Sequence, residues 1–138
     1  MKHRIRVCGI ARQDDQIVLI QQINPKTGSR RWGVPGGGLE ITDDDIFRAV
    51  EREMFEESGL RVRANQLRFI SEYFDPSDQM LMVTFWLECH PEGVEHNELS
   101  LDNNVPGDHI EAVRWWSKQE IQDCDDALMN RMIRRAEF

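Results

Sequence analysis

No helix can run through Pro35-Gly36-Gly37-Gly38, and few strands can. A few residues on, Thr42-Asp43-Asp44-Asp45 offers a run of helix-capping side chains. Helical periodicity then sets Ile46, Phe47, Val50 and Met54 on one side, and Gly59 supplies a stop. The pattern predicts a breaker, a loop and a helix over about Asp45–Ser58. On that helix each residue advances about 100°. Glu53, Glu56 and Glu57 stand at i, i+3 and i+4 and therefore share a face. The apolar stripe lies roughly a quarter turn away, so the carboxylates sit beside the core boundary.

Carboxylates at this spacing repel one another unless something positive neutralises them. Hard oxygen donors of high negative charge suit magnesium or manganese. A metal so held can bridge phosphate oxygens and acidify water to a nucleophile. Arg52 is placed to orient a carboxylate or to contact phosphate through a bidentate fork. The plainer alternative is a solvated glutamate face, and the glycines weigh against it. Glycine lets backbone approach a ligand closely, and a glycine loop before a helix N-terminus can cradle a metal or a phosphate.

Elsewhere the elements are coarser. His3–Ala11 and Gln16–Ile23 read as strands flanking a tight turn at Gln13-Asp14-Asp15, and Arg31–Val34 as a short strand. Arg61–Phe74 and Gln79–Cys89 read as strands about a turn at Pro76-Ser77-Asp78. The stretch His90–Asp108 is long for a loop, which marks it as a functional flap or a disordered segment. Glu111–Trp116 reads as a last strand. Ser117 and Glu120 have capping-box spacing before a short helix, and a terminal helix is expected over Asp125–Ala136. Strands mixed with a few helices predict an α+β or mixed α/β sandwich.

At 138 residues the chain fits one domain, 1–138, with a core of its own. Its net charge of -8 argues against partners that need basic surface, nucleic acid and anionic membrane among them. A phosphorylated small molecule remains compatible if a divalent metal neutralises charge locally. Cys8, Cys89 and Cys124 form no Cys-x-x-Cys pair, so reduced thiols are expected rather than a disulfide or zinc site. Apolar runs are too short to span a bilayer, and charges at Arg6, Arg12, Asp14 and Asp15 interrupt any leader. The expected location is cytoplasmic.

The segment from Gly37 or Gly38 to Leu60 resembles the Nudix box. Its second half is complete: Arg52-Glu53, Met54, Glu56-Glu57, Gly59 and Leu60. The lead-in from Arg31 through Trp32, Pro35 and the glycines to Glu40 is also similar to the family's. The middle departs from the pattern. The family's Glu-x-Gly-Glu is replaced by Glu40-Ile41-Thr42-Asp43-Asp44-Asp45. Counting back from Arg52 puts Asp44 and Gly38 at the box positions, whereas counting forward from Pro35 gives Asp43 and Gly37. A single inserted residue reconciles the two counts, with Asp45, then Asp44, as the expected helix cap.

The resemblance implies the α/β Nudix fold, a mixed β-sheet sandwiched between α-helices, with a box over about residues 37–60. It implies metal-assisted hydrolysis of a diphosphate linkage in a nucleoside diphosphate joined to another moiety, with a nucleoside triphosphate as the expected substrate and Mg2+ (or Mn2+) as cofactor. Glu53, Glu56 and Glu57 correspond to the metal ligands, one of them doubling as general base. The Gly37 carbonyl corresponds to a further ligand, and Arg52 to the residue that orients the cluster. Glu111 is the chosen candidate for an acid outside the box, against Glu98, Asp102, Asp108 and His109. Arg31 is a candidate for steering phosphates, and Phe74, with Tyr73 and Trp86, for stacking on a base. Phe55 points away from the carboxylates, toward a second layer or the partner of a homodimer. The rival readings are a nucleotide-sensing module of the same fold without catalysis, an isoprenoid-diphosphate isomerase, which would require an additional catalytic glutamate and a cysteine such as Cys8 or Cys89, and an acidic interaction protein with an incidental glutamate helix.

Overall fold

The alternating β-branched residues of the N-terminus form β1 (Lys2–Gln13) and β2 (Gln16–Ile23), joined by a turn in which Asp14 takes a φ of 55°. Aspartate is among the few residues that enter the left-handed region at small cost. The computed structural model describes residues 1–124 together with Met129, Arg131 and Arg134. Beyond β2 come β3 (Arg30–Gly33), β4 (Gly36–Gly38), α1 (Ile46–Ser58), β5 (Val62–Asp75), β6 (Met80–Pro91), β7 (Ile110–Ser117) and α2 (Lys118–Gln122).

β1 is the hub. β6 runs parallel to it from Lys2↔Met80 to Ala11↔Cys89, and β5 pairs antiparallel on the outer side of β6. Along its other edge β1 meets β4 and then, at Arg12↔Ile17, β2. β2 in turn carries β3 and β7, giving the order β3-β2-β1-β6-β5 with β4 on β1 and β7 on β2.

The glycine run, expected as a breaker, is therefore a short strand as well. It pairs Arg6↔Gly38, Val7↔Gly37 and Cys8↔Gly36. Glycine is what allows this pairing to be so close. A Cβ on Gly36 would lie 2.3 Å from the Val7 carbonyl oxygen.

Side chains alternate across β1, so Val7 and Ala11 face one layer and Ile10 the other. The first layer is α1, whose Ala49, Val50 and Met54 pack on Val7, Ala11 and Leu87. Gly9 makes room for it, since a Cβ there would meet Met54 Cε at 2.7 Å. Opposite lie Leu19, Trp86 and Trp116 with Ile121 of α2 and Met129. The fold is thus the expected mixed sheet between helices. Truncating a fully buried Met54 or Leu87 to alanine would cost about 2–5 kcal/mol.

The cap assignments hold. The Asp45 side chain accepts from the Arg48 amide at 2.8 Å, and Ser117 and Glu120 form a capping box. Of the terminal helix expected over residues 125–136, Met129, Arg131 and Arg134 are described and helical, and the rest lies outside the described residues. All three cysteines are free. Burial pushes Cys8 and Cys89 up to about 12, so neither is a thiolate near neutrality. The Phe55 ring, expected to face a second layer or a partner, is covered by the Arg61 guanidinium at 4.6 Å. Among the described residues no helix is long and apolar enough to cross a membrane.

The long segment between β6 and β7 is fastened at several points. Asn97 bonds the Arg61 amide and carbonyl at 2.8 and 2.9 Å, and the Ser100 amide donates to Ser58 at 2.8 Å. Its far end is held to β2, where Gln22 donates to the Asp108 carbonyl and Ile23 to that of His109. Gly59, at φ 80°, is the joint between helix and segment, and a Cβ there would sit 2.7 Å from the Ser100 amide nitrogen. Gly59→Ala should therefore lower the unfolding free energy by about 1–3 kcal/mol from backbone strain alone, read as a lower urea midpoint. An unchanged midpoint would show that the segment is not locked to the helix end.

Candidate active site

Arg52 projects from the middle of α1 and gathers most of the local acid groups. Its Nε and Nη2 donate to the two carboxylate oxygens of Asp43, each at 2.9 Å. Its Nη1 reaches Glu53 Oε1 at 3.0 Å and Glu56 Oε2 at 3.2 Å. The fork holds the Asp43 carboxyl below the usual range, and that bond in turn raises the guanidinium. The structure thereby chooses between the two loop registers. Asp43 is the residue on Arg52, and Asp45 is left to cap the helix.

Glu53 and Glu57 are buried, at 7% and 3% exposure, beside the apolar stripe that packs on the sheet. Glu57 Oε1 accepts the Gly36 amide at 2.7 Å. The Gly37 backbone lies against Glu53, so that a Cβ on Gly37 would fall 2.5 Å from Oε1. Burial pushes the Glu57 carboxyl up to about 8; the Gly36 amide opposes this, while Glu53 and Asp108 add to it. Glu53 is also raised by burial, against the pull of Arg52. Glu56 is more open, and Arg52 holds it at the rim.

Glu53 and Glu57 floor a cleft of about 610 Å³ between β1, the glycine strand, the β2–β3 loop and residues 107–109, with Arg52 and Glu56 outside its lining. Among the expected residues, Arg31, Gly37, Glu53 and Glu57 line it. Glu111 and Phe74 do not. Glu111 is engaged by Arg30, whose Nε donates at 2.6 Å. Phe74 is on β5, two strands beyond β1, and is 48% exposed. The acid that the late segment brings to the cleft is Asp108, between Gly107 at φ 99° and His109 at φ 55°. Sequence reasoning also missed Arg4, Arg6 and Lys26 on the cleft wall. The available signal was weak: Arg4 and Arg6 stand two apart on a strand and so share a face.

Among the described residues no three acid, thiol or imidazole side chains converge as a ready-made cation site. The donor set nevertheless fits a hard divalent cation. Glu53 and Glu57 are buried carboxylates whose ionised forms burial disfavours, and the Gly37 backbone approaches Glu53 as no other residue could.

A family model described as NUDIX domain matches residues 2–136. A "MutT-like protein" of Streptomyces ambofaciens is 30% identical over 122 residues, spanning 88% of this chain and 68% of that protein. The fold is similar to a NUDIX hydrolase from Nitrosomonas europaea, with TM-score 0.78 and 22% identity over 99% of this chain and 89% of that one. It is also similar to the MutT NUDIX hydrolase of Burkholderia pseudomallei, with TM-score 0.71 and 26% identity over 99% and 98%.

Alanine at each of the three glycines should separate fold from site. Gly36→Ala meets backbone and should lower the thermal midpoint most. Gly37→Ala meets the end of a side chain that can swing away, so it should weaken manganese binding by roughly tenfold or more at smaller cost to stability. Gly38→Ala, whose nearest neighbour is 3.8 Å away, should stay within about 0.5 kcal/mol of wild type. Manganese titrations that cannot tell Gly37→Ala from wild type would remove Gly37 from the site.

Glu57 carries a pH signature in metal-free protein. Its folded value is raised to about 8 from an unfolded value near 4.3. The native state thus holds a proton that the unfolded chain releases, and stability falls as pH rises across that interval. The contribution is whole below about 4.3 and gone above about 8. Thermal midpoints in chelator should fall across this window and fall less in Glu57→Gln. Parallel curves for the two proteins would refute the assignment.

Proposed function

The chain belongs to the NUDIX domain family, and from that premise we propose that it hydrolyses a diphosphate linkage in a nucleoside diphosphate joined to another group, with a nucleoside triphosphate as substrate. The observation that carries this reading is the pair of buried carboxylates, Glu53 and Glu57, on the floor of a cleft walled by cations. Glu53, Glu56, Glu57 and the Gly37 carbonyl would hold Mg2+, or Mn2+ in its place. There the cation would supply Lewis-acid stabilisation of phosphate charge and a lower pKa for a water molecule.

The remaining roles fall to the chain itself. Arg52 positions Glu53 and Glu56 through a guanidinium that Asp43 grips with both carboxylate oxygens. Glu57 Oε1 is taken by the Gly36 amide, which leaves Oε2 to receive a proton. Asp108 fills the place expected of Glu111, since it faces Glu53 and Glu57 across the cleft while Glu111 is neutralised by Arg30. It would orient the attacking water by accepting a hydrogen bond from it.

The test is phosphate and pyrophosphate release from nucleoside triphosphates, nucleotide sugars and dinucleoside polyphosphates, with and without magnesium. Glu57→Gln should lower magnesium-dependent turnover by roughly a hundredfold or more while remaining folded at the assay temperature. Absence of magnesium-dependent release from every compound would overturn the reading.

A further inference from the structure

The wall above the carboxylates is unusual for a chain whose net charge is -8. Arg4 and Arg6 reach the cleft from β1, Lys26 from the β2–β3 loop and Arg31 from β3. Arg6 is the informative one. Its Nε is buried and has no hydrogen-bond partner among the described residues. A buried donor left unmatched is costly, and a guanidinium more so than a neutral group. Its presence on the cleft wall is explained if an anion completes it.

The cleft offers a base little to stack on beyond the imidazole of His109. Among the described residues no Phe, Tyr or Trp lines it, and its ring-bearing side chains are Pro25 and His109. The aromatic residues named as stacking candidates lie elsewhere. Trp32 packs edge-on to Trp116 at 5.2 Å, and Phe69 stacks on Trp86 at 5.0 Å. Tyr73 and Phe74 lie on β5, at the far edge of the sheet. Stacking is the sequence-tolerant way to hold a base, worth about tenfold or more in affinity where it occurs. Guanidinium forks and ammonium groups, by contrast, match phosphate oxygens directly.

We infer that this cleft recognises its substrate by the phosphate chain rather than by the base, with Arg6 as a phosphate ligand, so that the substrate class is compounds bearing three or more linked phosphates with little preference among bases. The inference rests on the hydrolase reading above and deepens it. Arg4, Lys26 and Arg31 supply the surrounding positive field, and the triphosphate lies between that wall and the carboxylate floor.

The test is calorimetric titration of the whole chain, with magnesium present, against methylene-bridged inorganic triphosphate, methylene-bridged inorganic diphosphate, adenosine and the methylene-bridged analogue of ATP. The inorganic triphosphate should bind within about fivefold of the ATP analogue, with the diphosphate roughly tenfold or more weaker and adenosine negligible. Arg6→Gln should weaken triphosphate binding by roughly tenfold or more, and Arg6→Lys by less. Arg4→Gln, at an exposed position, provides a milder second variant should Arg6→Gln melt early. Tight binding of adenosine, failure of the inorganic triphosphate to bind, or an Arg6→Gln affinity equal to wild type in a folded protein would overturn the inference. Arg6-dependent triphosphate binding without hydrolysis of any compound would sink the hydrolase reading alone. Hydrolysis restricted to one base would sink this inference alone.

Discussion

Everything at the site depends on how closely Gly36–Gly38 lies to its neighbours. On one side the strand pairs with β1, and on the other its backbone touches the side chains of α1. A Cβ on Gly36 would strike Val7, and one on Gly37 would strike Glu53. Two consecutive positions without side chains thus let one strand touch the sheet and the helix at once. The helix can then bury Met54 in the core while its carboxylates meet main chain instead of other side chains.

That arrangement has an electrostatic cost that the neighbouring groups offset only in part. Glu57 is almost completely removed from water, and the Gly36 amide and the Arg6 charge offset that burial only in part. Glu53 shares the Arg52 guanidinium with Glu56 and Asp43. A single cation is thus spread over several anions, while burial first and then Glu53 and Asp108 raise the Glu57 carboxyl. The site is therefore strained toward cations on its floor. Its wall, with Arg6 unsatisfied, is strained toward anions. A phosphate chain carrying a divalent metal answers both needs together, which neither ion would do alone.

Much of this was legible in the sequence because it is local. The glycine run, the Asp45 cap, the i, i+3, i+4 glutamates and the Gly59 stop all fall within a short stretch, and helical geometry places them relative to one another. The expected residues beyond α1 that lie outside the cleft belong to long-range pairings. Nothing in the sequence indicates that β1 pairs in parallel with β6, or that residues 107–109 are held against the end of β2. Those pairings decide that Asp108 enters the cleft and that Glu111, one step into β7, meets Arg30 instead. Likewise Phe74 carries no mark of being on the edge strand farthest from the glycines. Arg6 was invisible for another reason. A charged residue in an N-terminal strand reads as solvated surface until the strand beside it is known to be glycine.

The two ends of α1 then divide the work of holding the site. Near its N-terminus, Asp43 in the preceding loop grips Arg52 and so fixes the side-chain geometry of Glu53 and Glu56. At its C-terminus, Gly59 turns the chain so that Ser58 can receive the Ser100 amide, anchoring the segment whose far end delivers Asp108. One rigid helix therefore positions both the carboxylates it carries and an acid some fifty residues later in sequence (Asp108 follows Ser58 by that margin). Groups mounted on a packed helix, and fastened to it from both ends, keep their separation without needing a ligand to draw them together. The cations of the wall are carried by β1, the β2–β3 loop and β3 instead, and the charge of Arg6 reaches Glu57 across the junction of wall and floor.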